Sequence, residues 1–306
     1  MPRDPVSEIL QIKQRAGRYK RIPSSHDIDA LARSLAALTS TDQSPSLVPV
    51  RIVTLIEVFL RHWIEIFIDF GAPYVERGSK LAPGIKYDFA VARSLHGGAI
   101  TLGQLIAHSV QLSRLDSIVA IFSTLLGKDL FDAVKDARDK WKERSEPDVG
   151  PIITDVGQTR RVLARLFEVR HIIVHEFPED LPHRPEEVAD FLDAASKFIQ
   201  ALEEEFTFLL YGNVPLSQYE MNRDAADQYQ RAKDELEAVC LNIEEFYPDI
   251  REVQRLWQAF KEAEAERMTR NSEGGSIRPM VYSLAAAQIT RERITQIQAL
   301  ENNRMD

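Results

Sequence analysis

Apolar residues return at helical spacing along nearly every long segment of this chain. In Arg51–Phe70, the residues Leu55, Val58, Phe59, Ile66 and Phe67 stand three, four, seven or eight apart. In Glu186–Tyr211, Val188, Phe191, Leu192, Phe198, Ile199, Leu202, Phe206 and Leu209 follow the same rule. That spacing lines one face of an α-helix with side chains that must be buried against a neighbour. No segment alternates apolar and polar residues over a strand's length, and no internal repeat is evident, so the expected fold class is all-α.

Breakers and caps divide the pattern into elements. The expected helices are Pro5–Lys20, His26–Thr39 capped by Ser25, and Arg51–Phe70 stopped by Gly71-Ala72-Pro73. Tyr74–Gly98 reads as a long loop with short helical turns. Thr101 caps Leu102–Arg114, and Ser117–Leu126 and Lys128–Arg144 follow. A Pro/Gly loop, Glu146–Pro151, leads into a helix-forming stretch from Asp155 to Val169 that continues toward Pro178. Gly212-Asn213-Val214-Pro215 marks the clearest boundary, and beyond it lie Gln218–Phe246, Asp249–Met268 and Ile277–Asn302. The expected organisation is a basic helical extension (1–46), a first domain (47–212) and a second helical domain (217–306), with Thr41–Pro49 as a connector.

Charge narrows the function classes. The formal net charge of −9 argues against indiscriminate coating of nucleic acid. The positive charge is local: Arg3, Lys13, Arg15, Arg18, Lys20 and Arg21 make the N-terminal arm basic. The acidic excess lies in 179–245, where Glu203-Glu204-Glu205 reads as a solvated helix face. The longest apolar run, Ile64–Phe70, is interrupted by Glu65 and Asp69, too short and too charged for a membrane span. Mixed charge rather than an apolar stretch follows the N-terminal residues, so no secretory signal is expected. With Cys240 as the single cysteine, a reducing cytoplasm is the expected setting.

The candidate site is Arg170-His171-Ile172-Ile173-Val174-His175. Arg170 offers a permanent planar charge suited to phosphate oxygens. His175 can take or give a proton near neutral pH, and His171, four residues before it, shares its helix face. Two other pairs in the chain have comparable spacing, Arg21/His26 and Arg165/His171. The first lies in a Pro/Ser connector, and the second lacks a polar residue directly after its arginine. Arg160, Arg161 and Arg165, upstream on the same stretch, are candidate RNA contacts. Arg61 and His62 form another basic pair, more simply read as a surface arginine and a packing histidine. His96 and His108 have no Cys or carboxylate at ligand spacing, so no metal or other cofactor is expected.

Arginine, a polar residue, three aliphatics and histidine, late in a helix of an all-helical domain, resemble the Arg-x(4–6)-His motif of HEPN domains. The resemblance covers roughly Val48 to Gly212. It implies a helical bundle that self-associates, bringing two motifs together as one metal-independent endoribonuclease site. Arg170 would then stabilise the phosphorane, His175 would transfer protons, and His171 would orient the phosphate or hold His175. The implied partners are RNA, a second copy of the chain, and an antitoxin or other regulatory protein, with no membrane. Some HEPN toxins carry a tyrosine shortly after the histidine as a modification target; here Glu176-Phe177-Pro178 follow. A catalytically silent HEPN scaffold that binds nucleotide or a partner is the alternative.

Arg170 and His175 are five residues apart, about 140° around an unbroken helix. Either the helix loosens at His175 or a second chain completes the site.

The second domain carries its own resemblance. Leu256-Trp257-Gln258-Ala259-Phe260-Lys261-Glu262-Ala263-Glu264, then Gly274-Gly275-Ser276, then Thr290-Arg291-Glu292-Arg293 are similar to the helical LprI-type lysozyme-inhibitor domain, over about Asp224 to Leu300. Exported members of that family typically carry cysteines where this chain has Glu264-Ala265 and Ala285-Ala286-Ala287. The resemblance implies the same fold without its disulfide, and as a further alternative an envelope-stress protein acting through this half.

Overall fold

The structure, a computed structural model, describes residues 4–19, 24–37, 47–176 and 178–305. Outside them lie Arg3, Lys20 and Arg21 of the basic arm, the end of the expected second helix, most of the Thr41–Pro49 connector, and Phe177. The described residues form fourteen α-helices and two short 3₁₀ turns, with no strand among them. The chain divides into two compact units, residues 1–212 and 213–306.

The first unit contains α1 (Pro5–Tyr19), α2 (Ser25–Ala37), α3 (Leu47–Phe70), α4 (Tyr74–Gly78), α5 (Phe89–His96), α6 (Leu102–Ser109), α7 (Leu115–Leu126), α8 (Leu130–Val134), α9 (Lys140–Ser145), α10 (Val156–His175) and α11 (Glu187–Tyr211). Its axis is α3, the most apolar long helix, which packs against α6, α10 and α11. Eleven of its residues are buried, among them Ile52, Ile56, Phe59, Leu60, Ile64 and Phe67. Around its C-terminal half stands an aromatic centre. Phe206 of α11 meets Trp63 at 5.4 Å, Phe67 at 5.0 Å and Phe122 at 5.3 Å between ring centroids. Such ring pairs add about 0.5–1.5 kcal/mol each beyond their buried area. Helices α3 and α6 meet at Gly103, where a Cβ would come within 2.4 Å of the Glu65 carbonyl oxygen. The Gly103 N–H donates to the Asp69 carboxylate at 2.8 Å, locking that approach.

Three elements depart from the sequence-based expectation. Helix α3 begins at Leu47, so Pro49 sits inside its first turn, where its missing N–H costs nothing. Thr101 caps α6 through a capping box with Gln104, but α6 ends at Ser109 rather than at Arg114. The expected Lys128–Arg144 helix is two short ones. Asp139 starts α9 anew by accepting from the N–H groups of Trp141 and Lys142, while the Ala137 carbonyl accepts from the Ile152 N–H.

The second unit contains α12 (Gln218–Ile243), α13 (Ile250–Met268) and α14 (Arg278–Met305). A Ser217/Glu220 capping box starts α12, which runs closely along α14. Its core is lean: Leu236, Ile243, Ile250, Ile294 and Ile297 form one cluster. Ala265, Ala285 and Ala286 form another, with Tyr229, Tyr282 and Ile289 against it. Three of the alanines that stand where the LprI resemblance expects cysteines, Ala265, Ala285 and Ala286, thus share one buried cluster.

Candidate functional site

Helix α10 positions all six candidate residues. It starts because the Asp155 side chain accepts from the Gln158 N–H at 2.8 Å, satisfying one free amide of the first turn. Its buried face is Thr159, Leu163, Leu166, Phe167 and Val169. It continues without a break through His175, and the Glu176 N–H still donates to the Ile172 carbonyl at 2.9 Å. The loosening considered at His175 therefore does not occur.

Arg170 and His175 accordingly face different ways. Arg170 turns toward α3, its side chain only 18% exposed, with Nη2 3.5 Å from Oε1 of Glu57. That ion pair is half-made: Arg170 Nε and Glu57 Oε1 are both buried without a hydrogen-bond partner. Burial pushes the Glu57 carboxyl above its usual range, against the opposing pull of Arg170 and Arg61. His171 and His175 are exposed and adjacent, their ring centroids 4.8 Å apart. His171 also borders a cleft of about 360 Å³ with Phe167 and Glu168 of α10 and Ser113, Arg114 and Asp116 leading into α7. Arg114 is exposed there, a second cation beside an imidazole.

The upstream arginines separate. Arg160 and Arg161 are exposed on α10, Arg160 lying over the Phe131 ring at 5.4 Å. Arg165 is engaged within the fold: it donates to Glu168 at 2.9 Å, to Glu187 at 3.2 Å and to the Pro182 carbonyl at 2.6 Å. It ties α10 to the loop that enters α11, leaving little of its fork for an external phosphate.

Arg61, His108 and His183 have structural surroundings. Arg61 donates to the Ala107 carbonyl, and burial lowers its pKa. His108 meets Glu8 of α1 at 2.8 Å. His183, within the α10–α11 connection, is buried with both ring nitrogens unpartnered, and burial holds it toward the neutral form. Among the described residues, no group of three or more His, Cys, Asp or Glu side chains is placed to hold a metal ion. Among the described residues, no helix is long and apolar enough to cross a membrane.

Sequence reasoning missed Glu57 and Arg114. An acid within the mostly apolar α3, which also carries Glu65 and Asp69, was the available signal for Glu57. Arg114 had none, since its place beside His171 depends on how α7 docks.

In the second unit the three resembling pieces lie on α13, in the turn before α14, and on α14. Gly274 takes a left-handed φ of +73° in the turn before α14. Thr290 is fully buried and donates to the Ala286 carbonyl at 2.7 Å. Arg293 donates to Gln254 Oε1 at 2.8 Å, and the Gln254 amide donates to Cys240 Sγ at 3.1 Å, linking α14, α13 and α12. Lys261 is buried between the Tyr229 and Trp257 rings.

Comparison with known proteins bears on this half. A family model described as Lysozyme inhibitor LprI matches residues 214–297, leaving residues 1–213 uncovered. No curated protein and no solved structure matches the chain. The C-terminal unit is an LprI-like helical domain.

Proposed function

We propose that the N-terminal unit is a metal-independent endoribonuclease of the toxin or phage-defence type, cutting single-stranded RNA at a site completed by two copies of the chain. The observation that carries this reading is the end of α10: two exposed imidazoles 4.8 Å apart, beside an arginine set on a half-buried acid. Cleavage needs a base for the 2′-OH, an acid for the departing 5′-oxygen, and positive charge on the phosphorane. The 2′-oxygen attacks phosphorus, the bond to the 5′-oxygen breaks, and a 2′,3′-cyclic phosphate and a 5′-OH result. His175 serves proton transfer, His171 orients the phosphate, and Arg170 stabilises the phosphorane, with Arg114, Arg160 and Arg161 along the RNA path. Because Arg170 and His175 lie about 140° apart on an unbroken helix and Arg170 faces Glu57, this reading requires Arg170 of one copy to swing off Glu57 and act with His175 of another across a two-fold axis.

The test is cleavage of end-labelled single-stranded RNA in excess chelator. His175→Ala should lower the rate about 10²–10⁴-fold, and Arg170→Ala should be at least as damaging. Mixing the two inactive variants should restore part of the activity, because mixed dimers hold one complete Arg/His set. Absence of cleavage by the natural chain, or cleavage unchanged by either substitution, discards the enzyme reading and favours the scaffold.

A second reading concerns the C-terminal unit. The LprI match, with the exposed apolar stripe Val253, Leu256 and Phe260 on α13, favours binding of a lysozyme. Titrating the full chain into lysozyme should suppress lysis of cell-wall substrate, and Leu256→Asp with Phe260→Asp should abolish the effect. Undiminished lysis in excess chain dismisses it.

A further inference from the structure

Within the C-terminal unit, α12 and α13 form the walls of an open cavity of about 430 Å³ that Thr290 of α14 also lines. Its volume falls in the range of small-molecule sites, about 300–1,000 Å³. Leu236, Leu241, Ile250 and Trp257 supply apolar lining, and Lys261 contributes to it while only 1% exposed.

Lys261 is unusual in its partners. An ammonium has three donors. Two are taken by neutral acceptors, Tyr229 Oη at 2.6 Å and Gln258 Oε1 at 2.8 Å. The Tyr229 and Trp257 rings face it at 4.9 and 5.4 Å. No carboxylate pairs with it: the nearby Glu262 is engaged by Gln258 at 2.7 Å. A second lysine, Lys233, lines the same cavity and lies over the same Tyr229 ring at 5.6 Å. A buried cation without a counter-ion is costly, and burial pushes its pKa down, with Lys233 adding to that and Glu262 opposing it.

We propose that this cavity is a binding site for a small monocarboxylate with an apolar body, the carboxylate taking the remaining Lys261 donor and the acyl chain or ring lying against Trp257 and Leu236. Of the two lining acids, Glu244 is paired with Arg251, which leaves Glu237 as the acid facing the lysines, a balance that suits a singly charged anion. The site is independent of the α10 chemistry and of any protein-docking role of the exposed α13 face.

Cys240 lines the same cavity, is partly accessible, and is the only cysteine in the chain, which makes its alkylation a clean reporter. The experiment follows iodoacetamide labelling of the full chain by mass spectrometry, with butanoate, hexanoate and octanoate, each paired with its neutral amide. Expected is a severalfold slowing by hexanoate or octanoate, with the amides about tenfold or more weaker because a charge-assisted bond is lost. In Lys261→Met the carboxylates should no longer protect. No protection by any acid, or equal protection by acid and amide, overturns the proposal in the natural chain alone, even should Lys261→Met fail to fold. Protection surviving in a folded Lys261→Met overturns it as well.

Discussion

Glu203, Glu204 and Glu205 show how a charge run changes meaning in three dimensions. In the sequence they read as a solvated face, yet in α11 all three are partly buried against other elements. Glu205 faces Lys128 at 3.3 Å, Glu204 accepts from the Lys140 N–H at 3.4 Å, and Glu203 lies near His26 and Asp27. Burial raises the Glu203 pKa, with Asp27 adding to the rise and His26 opposing it. A carboxyl whose folded pKa lies above its unfolded one favours folding while protonated, and that contribution is lost as pH rises from the usual carboxylate range through the raised value. Glu203→Gln keeps the neutral form at every pH. It should therefore stabilise the chain at pH 8, by a few tenths to about 1 kcal/mol, with the advantage fading toward pH 4. Urea unfolding of the two proteins at both pH values checks the sign. Arg170 was legible as a residue type and a spacing, but its inward turn onto Glu57 was not, because the sequence does not say which face of α10 meets α3.

At the scale of elements, the long helices were readable and the short ones were not. Helices α3, α10 and α11 carry enough apolar period and clear enough stops to be drawn within a few residues of where they lie. The break between α8 and α9 depends on Asp139, whose side chain caps α9 and also receives the Gln200 amide from α11 at 3.0 Å. That second contact exists only once α11 has docked. In the C-terminal unit the same logic makes a prediction. Ala265 on α13 and Ala285 and Ala286 on α14 are buried in one cluster. Replacing Ala265 together with Ala285 or Ala286 by cysteine should close a disulfide under oxidising conditions. Constraining the unfolded chain in this way typically adds about 2–4 kcal/mol. Failure of both pairs to oxidise, judged by non-reducing gel and thermal melt, would show that these helices are not held at bonding distance.

For the whole molecule, the amino-acid order by itself determined the all-α class, the long helices with their buried faces, the change of character near Gly212, and the LprI likeness of the last third. The first three are consequences of periodicity, breakers and local capping, which act over a few residues of contiguous chain, while the likeness rests on the residue pieces around Trp257, Gly274-Gly275-Ser276 and Thr290. Tertiary structure alone decided that Glu57 sits under Arg170, that Arg114 joins His171 at a cleft, that Arg165 is consumed by the α10–α11 connection, and that Lys261 is buried without a counter-charge beside a cavity. Those are contacts between residues tens of positions apart. Their chemistry depends on burial, and burial exists only after the helices have packed.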